Sequence, residues 1–292
     1  MVTVRWLESL TEGLERSGAL SAAGRAVTKP VAKLVQAGPV KDLLSGTWLG
    51  HPAHPMLTDL PIGAWTSASL LDLAEILGGT SAATRRGSDT LVGLGVLAAL
   101  PTAAAGLSDL SDEVEAPILA TGSAHALGSV AATGLFAASY LARRGGKRAQ
   151  GITLSLIGVG LLTAASFLGG HLSYRKGLGV DHNAFEGPIT DWTAVLDATE
   201  LASGKPQHVT VSGQDIMLYR MDGTIAALAN RCSHRGGPLH EGEIDGQEIV
   251  CPWHFSRFSL QDGSVTRGPA VAPQPGYETR VRQGKIEVRS TG

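Results

Sequence analysis

Cys232-Ser233-His234 and Cys251-Pro252-Trp253-His254 are the two runs on which the reading of this chain turns. They read C-x-H, then sixteen residues, then C-x2-H. Both cysteines of the chain sit here, each closely followed by a histidine. Two thiolates and two imidazoles at this spacing can close a four-ligand metal site. One Cys and one His per loop suits a 2Fe-2S cluster of mixed ligation, in which two cysteines hold one iron and two histidines the other. A structural Cys2His2 zinc site is the first alternative, although zinc fingers group their cysteines together and their histidines together. A Cys232–Cys251 disulfide is the second, and it gives the adjacent histidines no purpose.

The flanking residues extend the reading. In the first loop, Asn230–Leu239, Gly236 and Gly237 permit tight turns that aim backbone N–H groups at sulfur. The second loop runs from Cys251 to Asp262-Gly263, a hairpin signal. Arg267-Gly-Pro-Ala270 is placed to cover the site from another side, and Trp253 and Phe255 are expected to shield it from water. His240 lies off the motif spacing and reads as a surface residue. The runs C-x-H-x-G-x-x-L (232–239) and C-P-x-H-x-x-x-F (251–258) resemble the Rieske iron–sulfur domain, over about residues 190–290, in its ferredoxin and ring-hydroxylating-oxygenase branch. The resemblance implies an all-β domain of stacked antiparallel sheets. It also implies that Cys232 and Cys251 ligate an inner iron, and His234 and His254 an outer, exposed one. The respiratory branch carries two further cysteines in a disulfide beside the cluster, and this chain has none to spare. Fewer donors to the cluster place its potential toward the lower end of a range of about −150 to +300 mV.

The first half is of another kind. Thr90–Ser108, Ala116–Ala142 and Ala149–Gly170 contain no Asp, Glu, Lys or Arg, and each is about long enough to cross a hydrocarbon core. A weaker fourth span, Met56–Leu77, carries Asp59, Asp72 and Glu75, which such a helix tolerates only toward a bundle interior or an interface. Ala124, Gly128 and Ala132 recur on one face, as close packing in lipid favours. The opening His51-Pro-Ala-His-Pro55…Pro61-Ile-Gly63 and the exit Gly169-Gly…Tyr174…Gly177-Leu-Gly-Val180 resemble a bacterial four-helix membrane domain family of unassigned function, over about residues 45–180.

Four spans would return the chain to the side it started from. His51, His54, His125 and His171 then share one leaflet, with Asp59 and Tyr174, and His182 lies in the linker. His54, His125 and His171 are therefore candidates for a second redox site, either haem b with axial histidines or a quinone pocket. Helix capping and hydrogen bonding across the bundle are the plainer roles for the same residues.

The expected organisation is an arm at 1–50, a four-helix transmembrane domain at 51–175, a linker at 176–190 and the Rieske-like domain at 191–292. Leu7, Leu10, Leu14 and Leu20 suggest an amphipathic helix in the arm, and no secretory signal stands at the start. Strands are expected at 207–211, 215–220, 224–229, 248–250, 257–260, 277–282 and 285–289. A net charge of −2 gives no electrostatic case for nucleic acid. Arg85, Arg86, Arg143, Arg144, Lys147 and Arg148 on one side outnumber Lys41, Arg175 and Lys176 on the other, which favours both termini outside a bacterial cell membrane. Cytoplasmic cluster assembly and the missing disulfide favour the reverse. The function expected is transfer of single electrons between a membrane donor, quinol or haem, and a redox protein partner. A cluster-based redox sensor or assembly factor is the rival.

Overall fold

The computed structural model describes residues 5–36, 38–79, 81–221 and 223–291. The chain divides into two units: Met1–Leu34 with Ala53–Lys176, and Val35–Pro52 with Gly177–Gly292. The stretch read as an arm is thus split, its first part going to the helical unit and its second to the β unit.

The helical unit holds α1 (Arg5–Glu15), α2 (Gly18–Leu34), α4 (Ala53–Ile76), α5 (Ala82–Leu110), α6 (Ala116–Arg144) and α7 (Arg148–Lys176), while α3 (Pro39–Ser45) belongs to the other unit. Ser81 caps α5 by accepting the Thr84 N–H at 3.0 Å, and Pro117 stands in the first turn of α6, where its missing N–H costs nothing. Helices α1 and α2 pack on α6. Three helices, α5, α6 and α7, are long and apolar enough to cross a membrane. The fourth expected span, α4, is helical over 24 residues but does not reach that hydropathy, because Asp59, Asp72 and Glu75 lower it. Leu94, Leu97, Leu100, Leu127, Val130 and Leu141 are all more than half exposed, an apolar exterior that suits lipid better than water.

The core of this unit is built as two copies of one helical hairpin. His54, Trp65 and Asp72 of α4 are matched by His125, Phe136 and Arg143 of α6, each 71 residues later. Residues at i, i+11 and i+18 fall within about 20° on a helix, so each set lines one face. The sets meet in three layers. His54 and His125 lie with ring centres 6.2 Å apart and ring planes 89° apart. Trp65 and Phe136 stack at 4.2 Å with planes 4° apart. Arg143 grips both oxygens of Asp72, and neither side chain is exposed. The outer layers are separated by about 27 Å at helical rise, close to the thickness of a hydrocarbon core.

The second helices repeat as well, 63 positions apart (95 to 158, 106 to 169). Trp65 packs on Gly95 and Phe136 on Gly158, where a Cβ would collide with either ring. Thr90-Leu91…Gly95-Val96 reappears as Thr153-Leu154…Gly158-Val159. The small-residue stripe on α6 does what its spacing predicts, with Gly128 facing Ala165 of α7 and Ala132 fully buried.

Every donor group of the Arg143 guanidinium is used. It reaches Asp72, Ser88 at 2.9 Å, Asp89 at 3.1 Å, Ser139 at 3.0 Å and Ser155 at 3.1 Å. Arg148 holds Glu75 at 2.7 Å and Asp89 at 2.6 Å.

In the β unit, all pairing within the sheets is antiparallel. Strands β1 (Thr193–Asp197), β9 (Tyr277–Arg282) and β10 (Lys285–Ser290) form a sheet in the order β1-β10-β9. Strands β2 (Gln207–Val211), β3 (Gln214–Met221) and β4 (Thr224–Ala229) form the second. Strands β5 (Glu243–Asp245), β6 (Glu248–Val250), β7 (Arg257–Ser259) and β8 (Val265–Arg267) form the third. The second sheet is buried on both faces. Ile216 and Leu218 pack with Ile286 and Val288 of the first sheet. Met217 and Leu228 face the other way, onto Ile249, Phe258 and the two cysteines. That alternation is the period-2 pattern of a strand, and it seats the metal loops on a rigid layer.

The ion pair yields the first expectation. Arg143→Met or Asp72→Asn alone leaves a buried charge or unpaired donors, and each is expected to cost about 3–5 kcal/mol. Thermal unfolding of the detergent-solubilised protein should show the loss, and Asp72→Leu combined with Arg143→Met should recover most of it.

Candidate metal centre

The two loops that carry the motifs are built alike. In the first, the Cys232 carbonyl accepts the Gly236 N–H at 2.8 Å, and the Cys232 N–H donates to Gly237 at 2.8 Å. In the second, the Cys251 carbonyl accepts the Phe255 N–H at 3.1 Å, and the Cys251 N–H donates to Ser256 at 2.8 Å. Each cysteine therefore starts the same five-residue turn, and the histidine stands within it. The fourth position after the cysteine's start of the turn is left-handed in both, at φ +74° for Gly236 and +62° for Phe255. Glycine adopts this freely, whereas phenylalanine is strained there.

The turns bring like donors together. Cys232 and Cys251 are both free, only 1% exposed, and hydrogen-bonded to each other through their side chains. His234 and His254 lie edge to face with ring centres 5.0 Å apart. Backbone N–H groups of His234 and Arg235 face the Cys232 sulfur, and those of Trp253 and His254 face the Cys251 sulfur. In the first loop this is the service expected of Gly236 and Gly237, and the second loop achieves it without glycine. The hydrogen bond from Cys232, aided by those N–H groups, brings the Cys251 thiol down to about 7. The shared hydrogen bond and burial push Cys232 well up, because a second negative charge would enter the same dry space. A bound cation relieves that conflict. Burial first, then His254, Lys41, Arg235 and His182, hold the His234 imidazole well below its usual range and keep it neutral, as a ligand must be.

The donor set therefore fits a two-iron cluster: two adjacent thiols on one side, two adjacent imidazoles on the other. It fits one zinc ion poorly. Among the described residues, no three His, Cys, Asp or Glu side chains converge as a single ion requires.

The cradle around the loops includes residues the motifs do not announce. Gln274, 2% exposed, accepts the Ser233 N–H at 2.8 Å and donates to the carbonyls of Ala229 and Arg231, both at 2.8 Å. Asn183 donates to Gln274 and to Arg231. His182 donates its backbone N–H to Ser233, so part of the stretch read as a linker braces the first loop. The Gly-Pro segment covers the site as expected. Ala270 donates to the Ser256 hydroxyl at 2.9 Å, and the Ser233 hydroxyl donates to Ala272 at 2.7 Å.

Behind that segment lies α3, whose Asp42 accepts the Gly268 N–H at 2.8 Å and whose neighbour Thr47 donates to Ala270 at 3.1 Å. No local sequence signal joins residues more than two hundred positions apart. Trp253 and Phe255 depart from expectation. They are 53% and 58% exposed, so they rim the site more than they roof it, although Trp253 also lies along Gly237. His240 sits apart from the centre, bonded to Asn230 and stacked on His208. Of the membrane histidines, His54 and His125 come together, while His171 is bonded to Glu15 at 2.9 Å.

Comparison with known proteins agrees with this geometry. The Rieske [2Fe-2S] domain family matches residues 191–278, and the family described as predicted membrane protein (DUF2231) matches residues 50–182. The ferredoxin component of the p-cumate 2,3-dioxygenase system of Pseudomonas putida is 31% identical over 102 residues, covering 34% of this chain and 86% of that protein. The ferredoxin component of the naphthalene 1,2-dioxygenase system of Pseudomonas putida is 27% identical over 97 residues, covering 33% of this chain and 93% of that protein. Among solved structures, the ferredoxin of carbazole 1,9a-dioxygenase from Nocardioides aromaticivorans IC177 is 31% identical, covering 34% of this chain and 97% of that one, with a TM-score of 0.33. The C-terminal unit is thus an iron–sulfur module of the electron-transfer class. The chain belongs to the Rieske [2Fe-2S] domain family, with a membrane-protein domain of the second family ahead of it.

Lys41 gives this site its own expectation. A buried cation beside the histidine pair favours the more negative, reduced cluster. Lys41→Met is expected to lower the midpoint potential by tens of millivolts, where about 59 mV is tenfold for one electron. A redox titration followed by circular dichroism measures the shift.

Proposed function

We propose that this chain is a membrane-anchored Rieske iron–sulfur protein that passes single electrons between a donor in the membrane, a quinol or a haem, and a protein partner. Cys232 and Cys251 hold one iron of the cluster, and His234 and His254 hold the other. The observation that carries this reading is the matched construction of the two loops, which sets thiol beside thiol and imidazole beside imidazole. When bound, a 2Fe-2S cluster supplies one-electron chemistry without any acid, base or nucleophile from the chain. The chain's own residues do the rest. Backbone N–H groups on the sulfurs stabilise added negative charge. Gln274 and Ser256 fix the loops, and the partly buried histidines give the electron its exit.

The strain at Phe255 supports a docking role for the rim. A left-handed phenylalanine that is also mostly exposed serves neither backbone nor core. A partner surface would justify it. The likeness to ferredoxin components of dioxygenase systems makes a redox protein of the oxygenase type the partner class. In the helical unit, α4 joins α5, α6 and α7 as a fourth crossing, with Asp72 and Glu75 neutralised at Arg143 and Arg148.

Two measurements test this. In proteoliposomes a short-chain quinol should reduce the cluster within seconds, whereas a cluster reducible only by dithionite would point to a sensor or assembly factor. Phe255→Gly should leave the cluster spectrum intact and raise stability by up to about 1 kcal/mol. The same change should slow electron transfer to an acceptor protein such as cytochrome c several-fold in stopped-flow mixing.

A further inference from the structure

We propose that His54 and His125 are the two axial ligands of a b-type haem held on the internal two-fold axis of the helical unit, with no part played by His171. The proposal deepens the reading of a membrane-phase electron donor. It concerns binding alone, so each can fail without the other.

The two histidines are equivalent in every respect that matters to a ligand. His54 on α4 donates Nδ1–H to the Thr102 carbonyl of α5 at 2.9 Å. His125 on α6 donates Nδ1–H to the Ala165 carbonyl of α7 at 2.8 Å. A carbonyl can only accept, so both rings are fixed as the tautomer whose Nε2 carries the lone pair. No donor among the described residues is bonded to either Nε2. One turn beyond each carbonyl stands a glycine, Gly106 under His54 and Gly169 under His125. A Cβ at Gly106 would lie 2.6 Å from the ring, and one at Gly169 would lie 3.1 Å from it. Orienting a metal-bound imidazole through Nδ1–H to a carbonyl is the usual outer-shell arrangement.

The spacing suits one iron. Two imidazoles bound on opposite sides of a metal at about 2.0 Å per bond hold their ring centres roughly 6.3 Å apart, and the centres here are 6.2 Å apart. The number of donors then selects the metal's form. A bare zinc or copper ion needs three or four protein ligands, and among the described residues no third His, Cys, Asp or Glu joins this pair. Haem brings four nitrogens of its own and asks the protein for two.

The setting also suits a flat ligand. The neighbouring turns read Thr102-Ala-Ala-Ala-Gly106 on α5 and Thr121-Gly-Ser-Ala-His-Ala126 on α6, so beside the histidines these two turns carry only small side chains. The two hairpins meet less closely than the helices within each hairpin do. Facing helices of a bundle are an established way of presenting axial histidines. His171 is excluded because its Nε2 is bonded to Glu15, which also holds Lys176 at 2.8 Å.

The test uses the full chain, produced in cells supplied with 5-aminolevulinate and purified in detergent. Pyridine haemochrome should return about one haem per chain, and the reduced-minus-oxidised spectrum should be low-spin. His54→Ala and His125→Ala should each cut haem content at least tenfold with the cluster's EPR signal retained, and His171→Ala should leave it unchanged. His125→Met, which keeps an axial ligand, should retain haem at a raised potential and so separates ligand loss from misfolding. Cluster-bearing protein with no Soret band, haem surviving both alanine changes, or one equivalent of zinc or copper at the pair would overturn the proposal. Quinol-driven cluster reduction in haem-free protein would sink the haem while leaving the electron-transfer reading in place. Bound haem with a cluster that no quinol reduces would do the opposite.

Discussion

The backbone hydrogen bonds that close each cysteine turn are the constraint on which the β unit depends. They give two loops from different parts of the chain one geometry, so that residues of one chemical type meet their like. A single loop of this kind could bind little. Two, held on a sheet buried on both faces, make a compartment with sulfur at its floor and imidazole at its mouth. The cost is a pair of thiols in a dry place that cannot both give up a proton, a conflict that a bound cation relieves. Strain at Phe255 and the buried amide of Gln274 are consequences of the same requirement for fixed loops.

The helical unit solves a different problem with the same economy. A hairpin repeated about an axis must place each core residue opposite its own counterpart. Here the counterparts are complementary: tryptophan on phenylalanine, aspartate with arginine, histidine facing histidine. The ion pair answers the difficulty of charge inside an apolar bundle, since the buried Asp72 meets a guanidinium whose donor atoms are all used. At the other end His54 and His125 each bond a carbonyl of their own hairpin through Nδ1.

The iron–sulfur half is legible because thiols and imidazoles at metal-ligand spacing form a pattern that ordinary core or surface residues do not. Cys232, His234, Cys251 and His254 therefore stand out at their spacing, and the longer strands followed from alternation. Three short strands, β1, β5 and β8, escaped notice, since three to five residues show too little periodicity to register. The grouping of residues 35–52 with the β unit is not legible for a different reason. Their partners at Gly268 and Ala270 are remote in sequence, and nothing local announces such a contact. The hairpin repeat was present all along as His-x10-Trp-x6-Asp and His-x10-Phe-x6-Arg. Complementary pairs look unlike one another on paper, so identity conceals what geometry reveals. One of the acids that weaken the fourth span as a membrane helix, Asp72, is the one this repeat requires.

Pulsed EPR of the dithionite-reduced protein tests the central claim most directly, because it counts the nitrogens bound to the cluster. Two inequivalent imidazole couplings on one iron, in protein containing two irons and two sulfides per chain, are the predicted result. A spectrum without nitrogen coupling, or protein that holds zinc in place of iron, would contradict it.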